Sequence, residues 1–248
     1  MKDSPVKKNK NKKADVVAIV LAAGRGTRMG TDGPKQFACV CGRSVLSYSL
    51  ETFEKHAQVD AIVVVCSRGY KERVKEICAR HGISKCRSIV FGGETRRESS
   101  SAGVNAAAEI AEGRDSIVLI HDSARPLVTA QIISDNIRKA RETGACVTAA
   151  PSVDTVVLSD DGKLIGSMPE RSHVWCVQTP QSFRLGLIKD AHKYYEELDG
   201  NSRPPVTDDG GLVRLMGLPV AICLSDSGNF KITLPGDIDR MRLMVSVE

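Results

Sequence analysis

Aromatic residues are scarce: four tyrosines, five phenylalanines and one tryptophan in 248 residues. A stacking platform for single-stranded nucleic acid is therefore poorly supported. No apolar stretch approaches the twenty or so residues needed to span a bilayer. Lysines followed by VVAIVLAA imitate a secretory leader, but Asp15 interrupts the junction and the apolar run is short, so that reading is rejected. The eight cysteines (Cys39, Cys41, Cys66, Cys78, Cys86, Cys146, Cys176 and Cys223) form no CxxC pair and no His/Cys cluster with zinc spacing. Buried, reduced thiols in a cytoplasmic protein are expected. Internal repeats are absent.

The net charge of +5 is carried by the first thirteen residues, which hold six lysines against one aspartate; the other 29 basic and 29 acidic residues balance. With no apolar periodicity, residues 1–14 read as a disordered lysine-rich tail. Residues 15–248 read as a single domain, and neither nucleic acid nor membrane is expected as a partner.

Past the tail, VVAIVLAAG, AIVVVCS, SIVFGG, SIVLIHD and ACVTAAPS read as strands. SVLSYSLETFEKH, YKERVKEICARHG, ESSSAGVNAAAEIAEG and TAQIISDNIRKARETG read as the helices between them. Val/Ile runs without alternation mean burial on both faces. The repeated strand–helix unit predicts an α/β fold, a doubly wound, mostly parallel, Rossmann-like sheet. Ligands of such sheets bind beyond the carboxyl ends of the strands. The rhythm then changes. VDTVVLSDDGKLIGSMP has two strand-like pieces around the turn signal Asp161-Gly162, and the polar ERSHVWCVQTPQSF follows. A hairpin there has little core of its own, so a protruding arm at about 152–176, suited to dimer contacts, is expected. A helix near 185–198, a helix near 208–216, strands PVAICLS and FKIT, and a helix from about Pro235 complete the chain.

Two loops carry the chemistry. In AAGRGTRMGTDGPKQF, residues 22–37, glycines free backbone N–H groups to approach an anion. The loop is not a P-loop, and Gly24, Gly26 and Gly30 are spaced one residue too long for a dinucleotide fingerprint. It adds fixed cation at Arg25, Arg28 and Lys35. Nucleotidyl transfer needs such charge, because negative charge builds on the α-phosphate as pyrophosphate leaves. In IHDSARPLVT, residues 120–129, Asp122 and Arg125 fall at the same sheet edge. A carboxylate there could hold Mg²⁺ bound to triphosphate, and an arginine could fork onto phosphate. His121 reads as a structural histidine. Further on, Asp154-Thr155, Arg171 and Lys231 together suit a second anionic substrate.

The ordered set AAGRGTRMGTDGPKQF, HDSARP, VDT, QTPQSF, VTDD and NFKIT resembles the 2-C-methyl-D-erythritol 4-phosphate cytidylyltransferase family over nearly the whole chain from Val16 on. Sugar-1-phosphate nucleotidylyltransferases share the glycine loop but fit less well. The resemblance implies transfer of a cytidylyl group from CTP to methylerythritol phosphate, with Mg²⁺ as cofactor, in the non-mevalonate isoprenoid precursor pathway. It implies that Arg28 and Lys35 stabilise the α-phosphate transition state, and that Arg171 and Lys231 position the substrate phosphate. Ala22, Ala23, Gly24, Gly26, Gly93, Ser99 and Asp122 match nucleotide positions. Asp122, Arg125, Thr155, Arg171, Thr207 and Lys231 match the second-substrate pocket, with Asp122 facing a metal held mostly by CTP phosphates. The arm would make a homodimer and place Thr155 and Arg171 in the neighbouring subunit's site.

Two departures stand out. Glu94 replaces a shorter acid, and TDDGG replaces TDDA, with Gly210-Gly211 weakening a helix start by roughly 1 kcal/mol per glycine. The same chemistry on another polyol phosphate, such as ribitol 5-phosphate, is the alternative. A non-catalytic binding protein is a third reading, opposed by intact Arg28, Lys35, Arg171 and Lys231.

Overall fold

The computed structural model describes residues 13–24, 33–200 and 203–246. Alternate residues of β1 (Val16–Ala22) serve opposite faces of one sheet. Val16, Ala18 and Val20 enter one apolar cluster, and Val17, Ile19 and Leu21 enter another. A strand covered on both faces has no solvent side to mark with polar residues, so its run is continuous. β4 (Ala61–Cys66) divides in the same way.

With β5 (Cys86–Phe91), β6 (Ile117–Asp122), β7 (Ala145–Pro151), β8 (Trp175–Arg184) and β9 (Ala221–Leu224), these strands form a seven-stranded sheet in the order β5-β4-β1-β6-β8-β7-β9. Neighbours are parallel except that β8 runs antiparallel between β6 and β7. The short strands β2 (Cys39–Val40) and β3 (Arg43–Ser44) pair separately.

Helices α1 (Val45–Lys55), α2 (Lys71–Arg80) and α4 (Ala130–Thr143) cover one face. α3 (Arg96–Ile110), α5 (Leu185–Glu197) and α6 (Asp209–Leu215) cover the other. α7 (Pro235–Val245) sends Met241 against Val40, Val45, Phe230 and Ile232. Local chemistry sets the boundaries. Ser44 and Thr129 accept N–H bonds from Ser47 and Ile132, and Thr95 and Glu98 form a reciprocal capping box. Gly144, at φ 82°, closes α4 in the left-handed conformation.

The doubly wound, mostly parallel α/β reading holds. Several finer expectations do not. ERSHVWCVQTPQSF holds most of the ten-residue strand β8; its side chains look polar because they bond inside the fold, as when Ser182 Oγ donates to Asn136 Oδ1 at 3.1 Å. FKIT is not a strand: Ile232 N donates to the Ala124 carbonyl at 2.8 Å, and no ladder follows. The arm keeps its Asp161-Gly162 turn, with Gly162 at φ 69° and Asp161 Oδ1 accepting the Lys163 and Leu164 N–H groups. Its expected pair of strands reduces to one bridge, Leu158 to Ser167.

The tail boundary also shifts. Residues 1–12 lie outside the described residues, but Ala14 is fully buried and bridged to Ala111, so the fold includes it. All eight cysteines are free, yet Cys39, Cys41 and Cys176 are exposed rather than buried. No described helix is long and apolar enough to cross a membrane.

α3 seats on the sheet through Gly103. A Cβ there would lie 2.4 Å from Ile19 Cγ2 and 2.9 Å from Val65 Cγ2. Gly103→Ala is expected to lower unfolding stability in urea by about 1–3 kcal/mol, although alanine has the better helix propensity. A variant as stable as the parent would show that α3 can move outward freely.

Candidate active site

The parallel register brings four strand ends together. Leu21 pairs with Asp122, Ala22 with Cys66, and Cys66 with Phe91. The loops after β1, β4, β5 and β6 therefore leave the sheet along one edge, where ligands of such sheets bind.

On one side of this edge, Gln36 Nε2 donates to the carbonyls of Ala22 (2.6 Å) and Gly24 (3.0 Å), and Ser67 Oγ to that of Ala23 (2.8 Å). A Cβ on Gly92 would meet Ser99 Oγ at 2.5 Å and Ala23 Cβ at 2.7 Å, and one on Gly93 would meet Glu98. The nucleotide-position residues Ala22, Ala23, Gly24, Gly93 and Ser99 are thus gathered at one place, and neither Gly92 nor Gly93 has room for a Cβ. Glu94 is exposed there, its N–H held by Glu98 Oε2 at 2.7 Å. Arg25, Gly26, Arg28 and Gly30 lie outside the described residues.

Asp122 stands at the centre, 9% exposed. Its Oδ1 accepts Arg96 Nε at 3.2 Å and its Oδ2 accepts Lys231 Nζ at 2.6 Å. Burial opposes its charge, but the Arg96 guanidinium and the Lys231 ammonium outweigh burial and hold the carboxyl well below the usual carboxylate range. Arg96 reaches further, donating from Nη1 to Asp209 Oδ2 at 2.7 Å. Asp209 is buried and also accepts the Ser100 hydroxyl.

His121 is the structural histidine expected. Its Nε2–H donates to the Arg125 carbonyl at 3.0 Å, and its Nδ1 accepts the Thr179 hydroxyl at 3.1 Å. The Thr179 oxygen in turn accepts the Asp122 N–H at 3.1 Å. The neutral ring therefore spends both nitrogens on fixing the turn that carries Asp122.

Lys231 rides on a segment clamped side chain by side chain. Asn229 Nδ2 donates to Gln178 Oε1 and to the Thr179 carbonyl, both at 2.9 Å. Arg125 Nη1 donates to the Asn229 carbonyl at 2.7 Å. Lys35 Nζ donates to the Ile232 carbonyl at 2.6 Å, which ties the end of the first loop to the residue after Lys231. Arg125, expected to fork onto phosphate, here turns its donors onto backbone carbonyls. Thr207 is exposed beside a small recess that Arg96, Arg97, Asp208 and Leu212 also line. Thr155 and Arg171 are exposed on the arm, and no bond among the described residues joins them to Asp122 or Lys231.

Arg96, Gln178, Gln181 and Asn229 escape the sequence reading. Arg96 leaves a signal. Arg96 and Arg97 sit in the first turn of α3, where cations oppose the helix dipole, so a counter-anion must lie nearby. No cluster of three metal-ligating side chains occurs among the described residues. Mg²⁺ carried on a triphosphate is commonly held by one or two carboxylates plus substrate phosphates; the carboxylate at this edge is Asp122, whose Oδ2 would have to be shared between the ion and Lys231.

The carboxyl edge of this open α/β sheet gathers the cationic side chains of Lys35, Arg96, Arg125 and Lys231. Comparison with known proteins gives the class, nucleotidyltransferases. A family model described as 2-C-methyl-D-erythritol 4-phosphate cytidylyltransferase matches residues 16–246. The enzyme of that name from Geobacter metallireducens is 41% identical over 224 residues, 90% of this chain and 94% of its own. A bifunctional ribulose 5-phosphate reductase/CDP-ribitol pyrophosphorylase from Haemophilus influenzae is 35% identical over 93% of this chain and 47% of its own. The crystal structure of 4-diphosphocytidyl-2C-methyl-D-erythritol synthase from Anaerococcus prevotii superposes with a TM-score of 0.78 at 29% identity, covering 95% of this chain and 97% of that one. The chain belongs to the 2-C-methyl-D-erythritol 4-phosphate cytidylyltransferase family.

Burial pushes the His121 pKa down to about 4, below the roughly 6.5 of an unfolded histidine. Its neutral ring favours the folded state, so this contribution is complete above about pH 6.5 and is lost as pH falls toward 4. On the order of 3 kcal/mol is at stake. Urea unfolding of wild type and His121→Gln across pH 4–7 should show the acid slope reduced in the variant. Equal slopes would mean that His121 is charged or solvated in the fold.

Proposed function

We propose that this cytidylyltransferase assembles its reaction centre around Asp122 and joins CTP to 2-C-methyl-D-erythritol 4-phosphate, releasing pyrophosphate and 4-diphosphocytidyl-2-C-methyl-D-erythritol. The observation that carries the reading is the 2.6 Å bond from Lys35 to the Ile232 carbonyl. It brings Lys35, at the end of the first loop, beside the residue that follows Lys231, so two ammonium groups are gathered within reach of one pair of phosphates. CTP lies over residues 22–24 and the Gly92-Gly93 turn. Lys35 and Arg28 take up the charge that grows on the α-phosphate. Lys231, with Arg171 supplied by a second copy, holds the methylerythritol phosphate. That phosphate is already ionised and attacks in line, so no protein nucleophile is required and catalysis is positioning plus charge. Asp122 would hold Mg²⁺ through the triphosphate; when bound, the ion offsets charge on the leaving pyrophosphate.

The arm supports a homodimer. Val153, Leu164 and Ile165 are 80%, 75% and 64% exposed on a segment stitched by one bridge. Such an apolar surface is covered in a stable assembly. The free thiols fit a reducing cytoplasm.

Pyrophosphate release with Mg²⁺ and CTP is expected with methylerythritol phosphate and not with ribitol 5-phosphate; the reverse preference would favour the ribitol reading that the Haemophilus relative suggests. Lys35→Ala should lose at least about a hundredfold in kcat, near 3 kcal/mol of transition-state stabilisation. Unchanged turnover would remove Lys35 from catalysis.

A double substitution, Leu164→Asp with Ile165→Asp, should halve the mass seen by light scattering and lower activity at least tenfold with the circular dichroism intact. An active wild-type monomer would defeat the shared-site arrangement.

A further inference from the structure

We infer that Arg96 is a positioning residue of the transfer reaction: it fixes which oxygen of Asp122 faces the site, and it does so by bracing Asp122 against the buried Asp209. The inference rests on the functional reading above and adds a residue to it.

Four charges alternate in a row, Lys231, Asp122, Arg96 and Asp209. Arg96 Nε holds Asp122 Oδ1, and Arg96 Nη1 holds Asp209 Oδ2. Only a forked guanidinium offers donors in two directions from one rigid plane; a lysine is a point charge. Asp209 side chain is 1% exposed, and Ser100 occupies its other oxygen. It is therefore an anchor inside the fold. With Oδ1 pinned, Asp122 can turn only Oδ2 toward Lys231 and whatever the edge binds. The brace also spans two elements. Arg96 opens α3 three residues after Gly93, whereas Asp209 opens α6 two residues after Thr207. It thus couples the turn on the nucleotide side of the edge to the segment that carries Thr207, and Arg96 itself lines a small recess with Thr207. Its remaining Nη2 is buried without a partner among the described residues.

Without the brace, Asp122 keeps its 2.6 Å partner Lys231 but loses the bond that fixes its other oxygen, so carboxylate and ammonium can swing together away from the place where the substrate phosphate binds. The loss should appear in kcat/KM for the polyol phosphate, with a smaller change in KM for CTP.

A purely structural Arg96 would act only by neutralising Asp209, and a double variant separates the two roles. Steady-state kinetics and thermal melts are needed on wild type, Arg96→Lys, Arg96→Met, Asp209→Asn and Arg96→Met/Asp209→Asn. Arg96→Lys should fold and lose at least tenfold in kcat/KM for methylerythritol phosphate, with KM for CTP within threefold. Asp209→Asn weakens the anchor but keeps an oxygen that can accept Arg96 Nη1, so it should lower kcat/KM for methylerythritol phosphate in the same direction as Arg96→Lys and by no more than it does. The double variant should melt higher than Arg96→Met, because no buried carboxylate is left unpaired, yet remain as slow. Recovery of wild-type kinetics in the double variant, or wild-type kinetics in Arg96→Lys, would overturn the positioning role while the wild type still turns over. A wild type that releases no pyrophosphate from CTP with either polyol phosphate would overturn the functional reading, and this role with it.

Discussion

A carboxylate buried at the end of a central strand can stay ionised only if cations reach it, and the edge of this sheet is arranged around that requirement. Asp122 is nearly enclosed, yet Arg96 and Lys231 keep it charged. Each of those cations needs its own restraint. Arg96 is placed by the capping box that starts α3 and by Asp209. Lys231 is placed by Asn229, which β8 holds through Gln178 and Thr179, and by the bond between Ile232 and Ala124. The antiparallel strand that interrupts the parallel sheet thus supplies the polar side chains that a parallel strand covered by apolar helices would not.

The core was legible in the sequence because burial on both faces writes itself as an unbroken apolar run. β1, β4 and β6 needed no other signal, and Thr129 and Gly144 marked α4 by its two ends. β8 was not legible because its buried partners are amides and hydroxyls, whose satisfaction depends on residues distant in the chain: Gln181 bonds Asp208, and Ser182 bonds Asn136. FKIT misled for the converse reason. Its apolar residues, Phe230 and Ile232, are buried, but against α7 and the short β2 side rather than in the sheet. In the site, the resemblance puts Asp122 and Lys231 in one pocket; that they bond each other is not readable across 109 residues of separation.

The glycines of TDDGG show how a local penalty can be absorbed. Taken alone they weaken the start of α6. In place, Asp208 caps the Gly211 N–H at 2.8 Å, and Gln181 Oε1 accepts both the Asp209 and Gly210 N–H groups at 3.0 Å. A Cβ at Gly210 would come within 2.7 Å of Val147 Cγ1. The missing methyl lets the turn sit down on β7, and the hydrogen bonds that fix Asp209 as a counter-ion follow from that seat. Helix propensity is exchanged for an anchored carboxylate.

The same accounting bears on the chemistry. Side chains near the edge that could act as nucleophile or base are already engaged: both nitrogens of His121, the hydroxyl of Thr179 on His121, that of Ser99 on the Thr95 carbonyl and that of Ser67 on Ala23. These side chains contribute to the edge as fixed structure. The proposed reaction, in which the substrate brings its own ionised nucleophile and the protein holds charges in place, is consistent with such an edge. On the proposed function, the restraint of Arg96, Lys231 and Lys35 would be the catalytic apparatus, because a preorganised charge is useful only where it cannot relax away from the transition state.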